Sequence, residues 1–494
     1  MLESVWAFIS GYWLLLLVGV ALVHAVLLGL AVLSERREPS ATWAWLLAVI
    51  FVPIIGVAAY YTVARTRFRR QYRARAAVNE QADEALSMYV QQSLEGFDDS
   101  QLQHLKPAQR GLIELAANSA QFSRGAPVFA GNAVELYSFP APKYEALLEA
   151  IRSAQSHVHL EYFIYRGDRT GTAIRDLLVE RARAGVEVRV LLDGVGTFRT
   201  FPADFWKPLA EAGGRAEVFL SVRFGKMAER VNFRNHRKIA VIDGRVGFVG
   251  GMNIGDEHVD VTPRYGRWRD SHVRIEGPAV AELQRIFLTD WLFTAEQTLA
   301  EPRFFPDVPA TGTDLVQIVS SGPDCRWPTI QQLYFQAVTT ATKQVLISTP
   351  YFIPDPSMLS ALETAALRGI DVRVLVPARN DQILVTSAAR SYYEELLETG
   401  VRVFEYRPGF MHAKTIAVDG RYGSVGSANM DVRSFMLNFE ASAFVHSEAF
   451  GRRLQQQFEQ DMAQSREVEL ETFRQRPRVE RFRESVAQLF SGVL

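Results

Sequence analysis

One block of sequence occurs twice, and the repetition restricts the chain to folds with two related halves. The first copy runs His236-Arg-Lys238-Ile-Ala-Val-Ile-Asp243-Gly and then Gly250-Gly-Met-Asn253. The second runs His412-Ala-Lys414-Thr-Ile-Ala-Val-Asp419-Gly and then Gly426-Ser-Ala-Asn429. In both, lysine follows histidine by two residues, aspartate follows lysine by five, and asparagine follows aspartate by ten. Side chains alternate along a strand, so His-x-Lys sets an imidazole and an ammonium on one face. The apolar run continues the strand through a core, and Asp-Gly then makes a two-residue hairpin turn. Gly-Gly or Gly-Ser lets the returning backbone approach the site closely before the asparagine. Such a hairpin aims a nucleophile or proton carrier, a cation and a carboxamide in one direction, which suits a phosphate. The aspartates sit at the turns and are expected to be structural, or to support the other groups, rather than to attack.

The repeat extends beyond the motifs. An apolar strand at His157–Ile164, a helix at Thr172–Ala184 closed by Gly185, and a strand at Val186–Asp193 form a βαβ pattern. Gln344–Ile353, Met358–Arg368 with Gly369, and Ile370–Val376 repeat it. The fold class is therefore α/β, with two pseudo-symmetric halves of mixed sheet flanked by helices. The expected domains are 127–310 and 311–494, preceded by a helical connector at 65–126.

The first 64 residues differ from the rest. Tyr12–Leu33 and Thr42–Ala64 contain no charged residue. Each reaches the roughly 20 residues needed to cross a bilayer as a helix. The pair reads as a transmembrane hairpin rather than a cleaved signal, because the first run is too long and Glu3 replaces a basic start. Arg65, Arg67, Arg69, Arg70, Arg73 and Arg75 follow the second run. By the positive-inside bias, both termini and the catalytic region are expected to be cytoplasmic.

Some features carry less. His157, His159 and Glu161 alternate on one strand and imitate a metal cluster, but no second ligand-rich segment accompanies them. They read as a solvated strand face. His104, His258, His272 and His446 are isolated. The aromatic stretch Gly196–Trp206 suits a packed loop or one dipping into a bilayer. The spaced apolar residues Phe482, Val486 and Phe490 near the C-terminus suggest a packing helix, ahead of a membrane-surface one. A formal net charge of -1 argues against coating nucleic acid by bulk electrostatics. The single cysteine, Cys325, allows no intramolecular disulfide.

The doubled His-x-Lys-x4-Asp motif, each copy followed by Gly-Gly/Ser-x-Asn, resembles the phospholipase D superfamily. With the hairpin and this length, the chain is most similar to its bacterial cardiolipin synthases, across essentially the whole sequence. The resemblance implies phosphatidyl transfer between two phosphatidylglycerols in the cell membrane, with release of glycerol. His236 would attack phosphorus and His412 would serve as acid and base, although the sequence leaves their order open. Lys238, Lys414, Asn253 and Asn429 would hold the phosphate oxygens. Asp270 and Glu440 resemble the family's downstream acidic partners of the histidines. The lysines would supply the charge a metal supplies elsewhere, so no metal and no cofactor is implied. Phospholipid hydrolysis, transfer from phosphatidylethanolamine and a tethered nuclease are the competing activities; nucleic acid is not the expected partner.

Overall fold

A computed structural model describes residues 126–492 apart from 198–203, 221–232, 260–264 and 326. Of residues 1–125 it describes 39–52, 105–119 and scattered positions. The chain divides into two compact units, Met1–Arg73 and Ala74–Leu494.

In the first unit Pro39–Phe51 is helical. Trp45 packs edge-on against Tyr60, with ring centroids 5.7 Å apart, beside buried Leu28 and Val49. Trp43, Ile50 and Phe51 are exposed. Among the described residues no helix is long and apolar enough to cross a membrane. Both expected spans run into residues outside the described set, and the arginines at 65–75 lie wholly outside it.

The second unit is built on one continuous sheet. Its first half supplies β1 (Val128–Tyr137), β2 (His157–Tyr162), β3 (Glu187–Asp193), β4 (Arg215–Phe219), β5 (Lys238–Ile242), β6 (Val246–Gly250) and β7 (His272–Glu276). The second half supplies β8 (Asp314–Ser321), β9 (Gln344–Ser348), β10 (Asp371–Pro377), β11 (Arg402–Tyr406), β12 (Thr415–Val418), β13 (Tyr422–Gly426) and β14 (Asn438–His446). The order across the sheet is β4-β3-β2-β5-β6-β7-β1-β8-β14-β13-β12-β9-β10-β11, one seven-strand order followed by its mirror, with the short strand Ser465–Glu467 added antiparallel at the edge of β11. The halves meet where β1 and β8 pair antiparallel, Phe129 opposite Val316.

Each βαβ unit forms as its sequence implies. Arg169–Arg183 and Pro356–Leu367 are the crossover helices, and the strands they join pair in parallel. Asp168 and Asp355 cap their first turns through side-chain oxygens. Gly185 and Gly369 end them at φ 91° and 84°. A Cβ at either glycine would meet nothing, so the left-handed backbone, not space, demands glycine there. Each half buries its own core, with Leu160, Leu178 and Val190 in the first and Leu333, Ile347 and Val374 in the second. Within the segment expected as a connector, the helix Pro107–Asn118 sets Leu112 and Ala116 into the core of the second half.

Two features differ from expectation, and a third takes one of its two expected forms. The strand face of His157, His159 and Glu161 is buried, not solvated. The helix Val280–Ala295 covers it, and Gln284 bonds both imidazoles, at 3.0 Å from His157 and 2.9 Å from His159. Burial pushes His157 down to about 4. Phe205 and Trp206, from the aromatic stretch, pack in the core against Tyr165; residues 198–203 of that stretch lie outside the described set. The C-terminal helix Arg478–Gln488 forms, but Phe482, Val486 and Phe490 point outward, and Glu484 and Ala487 are its buried residues.

The two motif aspartates explain the hairpins. Asp243-Gly244 and Asp419-Gly420 all have positive φ, between 53° and 65°. Strand pairing resumes at Val246 and Tyr422, leaving three residues between the strands rather than two. Asp243 accepts the backbone N–H groups of Gln155, Ser156 and His157 at 2.8–2.9 Å. Asp419 does the same for Thr342, Lys343 and Gln344. Each carboxylate ties its hairpin to the start of the neighbouring central strand. Asp243→Ala and Asp419→Ala should each cost about 3 kcal/mol of stability through the lost charged hydrogen bonds. Chemical denaturation checks this, with activity per folded molecule largely retained.

Candidate active site

The turns that carry Asp243 and Asp419 lie at the far ends of β5 and β12 from the histidines. Five residues separate Lys238 from Asp243, or roughly 16 Å of strand. The structure thus keeps both aspartates out of the group that meets at the other end.

At that other end the two motifs converge. His236, His412, Asn253 and Asn429 line one cavity of about 410 Å³. Short strand pairings between the halves bring them there. Arg234–Asn235 runs parallel to Asn438–Phe439, and Gly409–Met411 runs parallel to Arg267–Arg269. His236 N–H donates to the Phe439 carbonyl at 2.9 Å, and His412 N–H to the Arg269 carbonyl at 2.7 Å.

The residue after each of those carbonyls is a buried carboxylate, and it belongs to the opposite half. His236 Nδ1 lies 3.0 Å from Glu440 Oε1, and His412 Nδ1 lies 2.6 Å from Asp270 Oδ2. Asp270 and Glu440 therefore meet histidines, each across the seam rather than within its own half. His236 Nδ1 also faces the Ser427 carbonyl at 3.1 Å. A carbonyl can only accept, so Nδ1 carries the hydrogen and Nε2 is left bare toward the cavity.

The surroundings set the charge states. Burial first, and then the charge of Lys414, pushes His412 down to about 4. Burial drives His236 well below the ordinary imidazole range, with Lys238, Lys414 and Arg234 adding to it. Both imidazoles are neutral near pH 7. Burial works to raise the Asp270 carboxyl, but its interactions with His412 and Lys414 and the N–H of Ser271 outweigh it and hold it below its ordinary value. Burial pushes the Glu440 carboxyl up to about 7. The Ser427 hydroxyl and Asn438 Nδ2, the latter at 3.1 Å, donate to Glu440. The position equivalent to Ser427 is Gly251, where a Cβ would collide with the Asp270 carboxylate.

Lys238 and Lys414 each donate to the carbonyl of their own histidine at 2.6 Å. Burial lowers them to about 7 and about 8. A phosphate in the cavity would favour their charged forms and compensate the buried charge. Among the described residues Asn429 Oδ1 is buried without a hydrogen-bond partner, whereas Asn253 Oδ1 accepts from Ile164 N–H at 3.1 Å.

Sequence reasoning missed several groups. Ser427 occupies the motif's Gly-Ser position, and only the neighbouring backbone reveals that it holds Glu440. Arg237, the middle residue of the first His-x-Lys, pairs with buried Asp290 and donates from Nε to the Glu440 carbonyl at 3.2 Å. Arg269 plays the same part at Asp270: it pairs with Asp461 at 2.8 Å and donates to the Asp270 carbonyl at 2.6 Å. His258, passed over as isolated, lines the cavity against Trp268, and burial pushes it down to about 3.

Residues 147–291 and 334–462 match the family described as "Cardiolipin synthase, PLD-like domain", and residues 13–65 match "Phospholipase_D-nuclease N-terminal". The chain is 39% identical to the major cardiolipin synthase of Bacillus subtilis over 483 residues, covering 96% of this chain and 98% of that one. It is 39% identical to a cardiolipin synthase of Geobacillus kaustophilus over 499 residues, covering 99% and 96%. Among solved structures, the phosphatidylserine synthase of Haemophilus influenzae shares the fold. The TM-score is 0.61 at 16% identity, over 78% of this chain and 99% of that one.

The pair of carboxylates gives a pH test. Glu440 assists His236 when ionised, so this assistance is lost as pH falls through about 7. Glu440→Gln should lower kcat roughly 10³-fold and remove an acid limb near pH 7 from the rate profile. Asp270→Asn should lower kcat while leaving that limb in place, because Asp270 stays ionised there. A pH–rate series on the three proteins checks both.

Proposed function

Because the chain belongs to the cardiolipin synthase family of the phospholipase D superfamily, we propose that it joins two phosphatidylglycerols into cardiolipin and releases glycerol. The observation that carries this reading is the pair of crossed histidine–carboxylate contacts around one cavity. Two neutral imidazoles, each with a bare Nε2, suit a two-step exchange at phosphorus.

In the first step His236 Nε2 attacks the phosphorus of the donor lipid. The phosphorus–oxygen bond to glycerol breaks, and His412 in its protonated form gives the leaving oxygen its proton. The phosphatidyl group is then held on His236. In the second step the hydroxyl of another phosphatidylglycerol attacks, His412 takes its proton, and the phosphorus–nitrogen bond breaks. Glu440 stabilises the positive charge that develops on His236, and Asp270 does so for His412. Lys238, Lys414, Asn253 and Asn429 hold the nonbridging oxygens. Phosphate binding also raises the proton affinity of the cavity, which lets His412 enter the first step charged.

The N-terminal 64 residues act as a membrane anchor in this reading, a transmembrane hairpin with the catalytic unit on the cytoplasmic side. The two uncharged runs, the arginines after them and the N-terminal family match support it. An anchor confines the site to a two-dimensional pool of acceptor lipid, which favours the lipid hydroxyl over water.

Vesicles of phosphatidylglycerol alone should yield cardiolipin and glycerol in equal amounts, with little phosphatidic acid. Added glycerol should reverse the reaction, since one phosphodiester is exchanged for another. Predominant phosphatidic acid on analysis of the lipids would make the protein a hydrolase. Denaturation in alkaline detergent during turnover should trap a phosphatidyl-enzyme that is acid-labile and base-stable. His236→Ala should abolish it, and its survival there with loss in His412→Ala would exchange the two roles.

A further inference from the structure

The helix Arg478–Gln488 is packed inside out. Its inward face holds Glu484 and Ala487. Glu484 is bonded by Arg390 at 2.9 Å and by Arg476 at 2.8 Å, and Ala487 joins Val385 and Ala388 of the helix Ile383–Arg390. Its apolar residues Val479, Phe482, Val486 and, one residue past its end, Leu489 recur at intervals of three, four and three. That spacing makes one stripe along a helix. The stripe faces outward: Val479 is 78% exposed, Phe482 71% and Leu489 83%. The neighbouring helix adds Ile383, 77% exposed, and Leu384.

Contiguous exposed apolar surface of this kind marks an interaction site rather than ordinary scatter. Its place identifies the occupant. Gln382 and Val385 line the catalytic cavity, so exposed Ile383 and Leu384 lie between cavity-lining neighbours in the chain. The apolar surface is thus continuous with the mouth of the site. The helix also carries Arg478, Arg481 and Arg483, which complement anionic headgroups. Its composition, basic with a stripe of Phe, Val and Leu, is that of a helix lying in a membrane interface.

We propose that the helices Ile383–Arg390 and Arg478–Gln488 form a docking face that seats the catalytic unit on an anionic lipid surface, with the cavity mouth at its edge. The proposal rests on the lipid-transfer reading and adds how substrate headgroups reach a buried pair of histidines. Lipids need to rise only from the bilayer surface into an opening already held against it.

Two measurements on the full-length protein test it. Phe482→Cys in a Cys325→Ser background, labelled with an environment-sensitive nitrobenzoxadiazole dye, reports docking whether or not cardiolipin is the product. In phosphatidylglycerol proteoliposomes its emission should shift to the blue and be quenched by spin-labelled lipid. The same dye on Glu448→Cys, an exposed site elsewhere, should do neither. An unshifted, unquenched dye at 482 would overturn the proposal. Val479→Ser/Phe482→Ser/Leu489→Ser should slow turnover of phosphatidylglycerol vesicles tenfold or more. The rate on dispersed short-chain phosphatidylglycerol should stay within twofold. Equal loss on both substrates, no loss on either, or a change in sedimenting mass that shows the stripe to be a self-association surface would each refute it. A wild-type protein that makes no cardiolipin, yet shows the quenched dye, would sink only the earlier reading.

Discussion

The catalytic unit depends on two buried contacts that cross between its halves, His236 with Glu440 and His412 with Asp270. A carboxylate buried without a partner costs several kcal/mol. A histidine without one has no fixed tautomer. Each half supplies one of each and satisfies neither alone. The continuous sheet, the antiparallel seam of β1 and β8, and the short strand pairings beside each histidine all hold that exchange in register. Arg237 and Arg269 extend the same logic one layer outward. Each is anchored by a buried aspartate, and each holds the backbone of an exchanged carboxylate.

Much of this was legible in the sequence because the motif is doubled. Identical spacing led directly to two hairpins, and the Asp-Gly turns to positive φ. The crossover helices are visible through their closing glycines. Asp270 and Glu440 could be picked out through the resemblance to the family's downstream acidic partners. Their crossing could not, since distance along a chain does not say which half a side chain faces. Ser427 was hidden for a similar reason: a serine beside a glycine reads as a small residue until a carboxylate is placed next to its hydroxyl.

The misread segments share a physical cause. His157, His159 and Glu161 look like a wet strand face because they alternate with apolar residues. Strands in parallel pairing are covered on both sides, and here the helix Val280–Ala295 brings Gln284 to bond the imidazoles. At the C-terminus the error ran the opposite way. Apolar spacing in a short helix identifies a face but not what the face meets, and here the buried side is held by Arg390 and Glu484 instead.

The exchange across the seam also bears on how the protein is made. On the ribosome the first half is complete long before Glu440, which follows His236 by 204 residues. Until then β8 has β1 on one side and an open edge on the other, since β14, the strand that carries Glu440, has not been synthesised. An open strand edge invites pairing with another chain, so this is the stage at which nascent molecules are most prone to entangle. The same delay protects the cell. A nascent or truncated chain presents His236 without its carboxylate and without His412, beside every phosphodiester in the cytoplasm. Its chemistry stays silent until the second half has folded against the first.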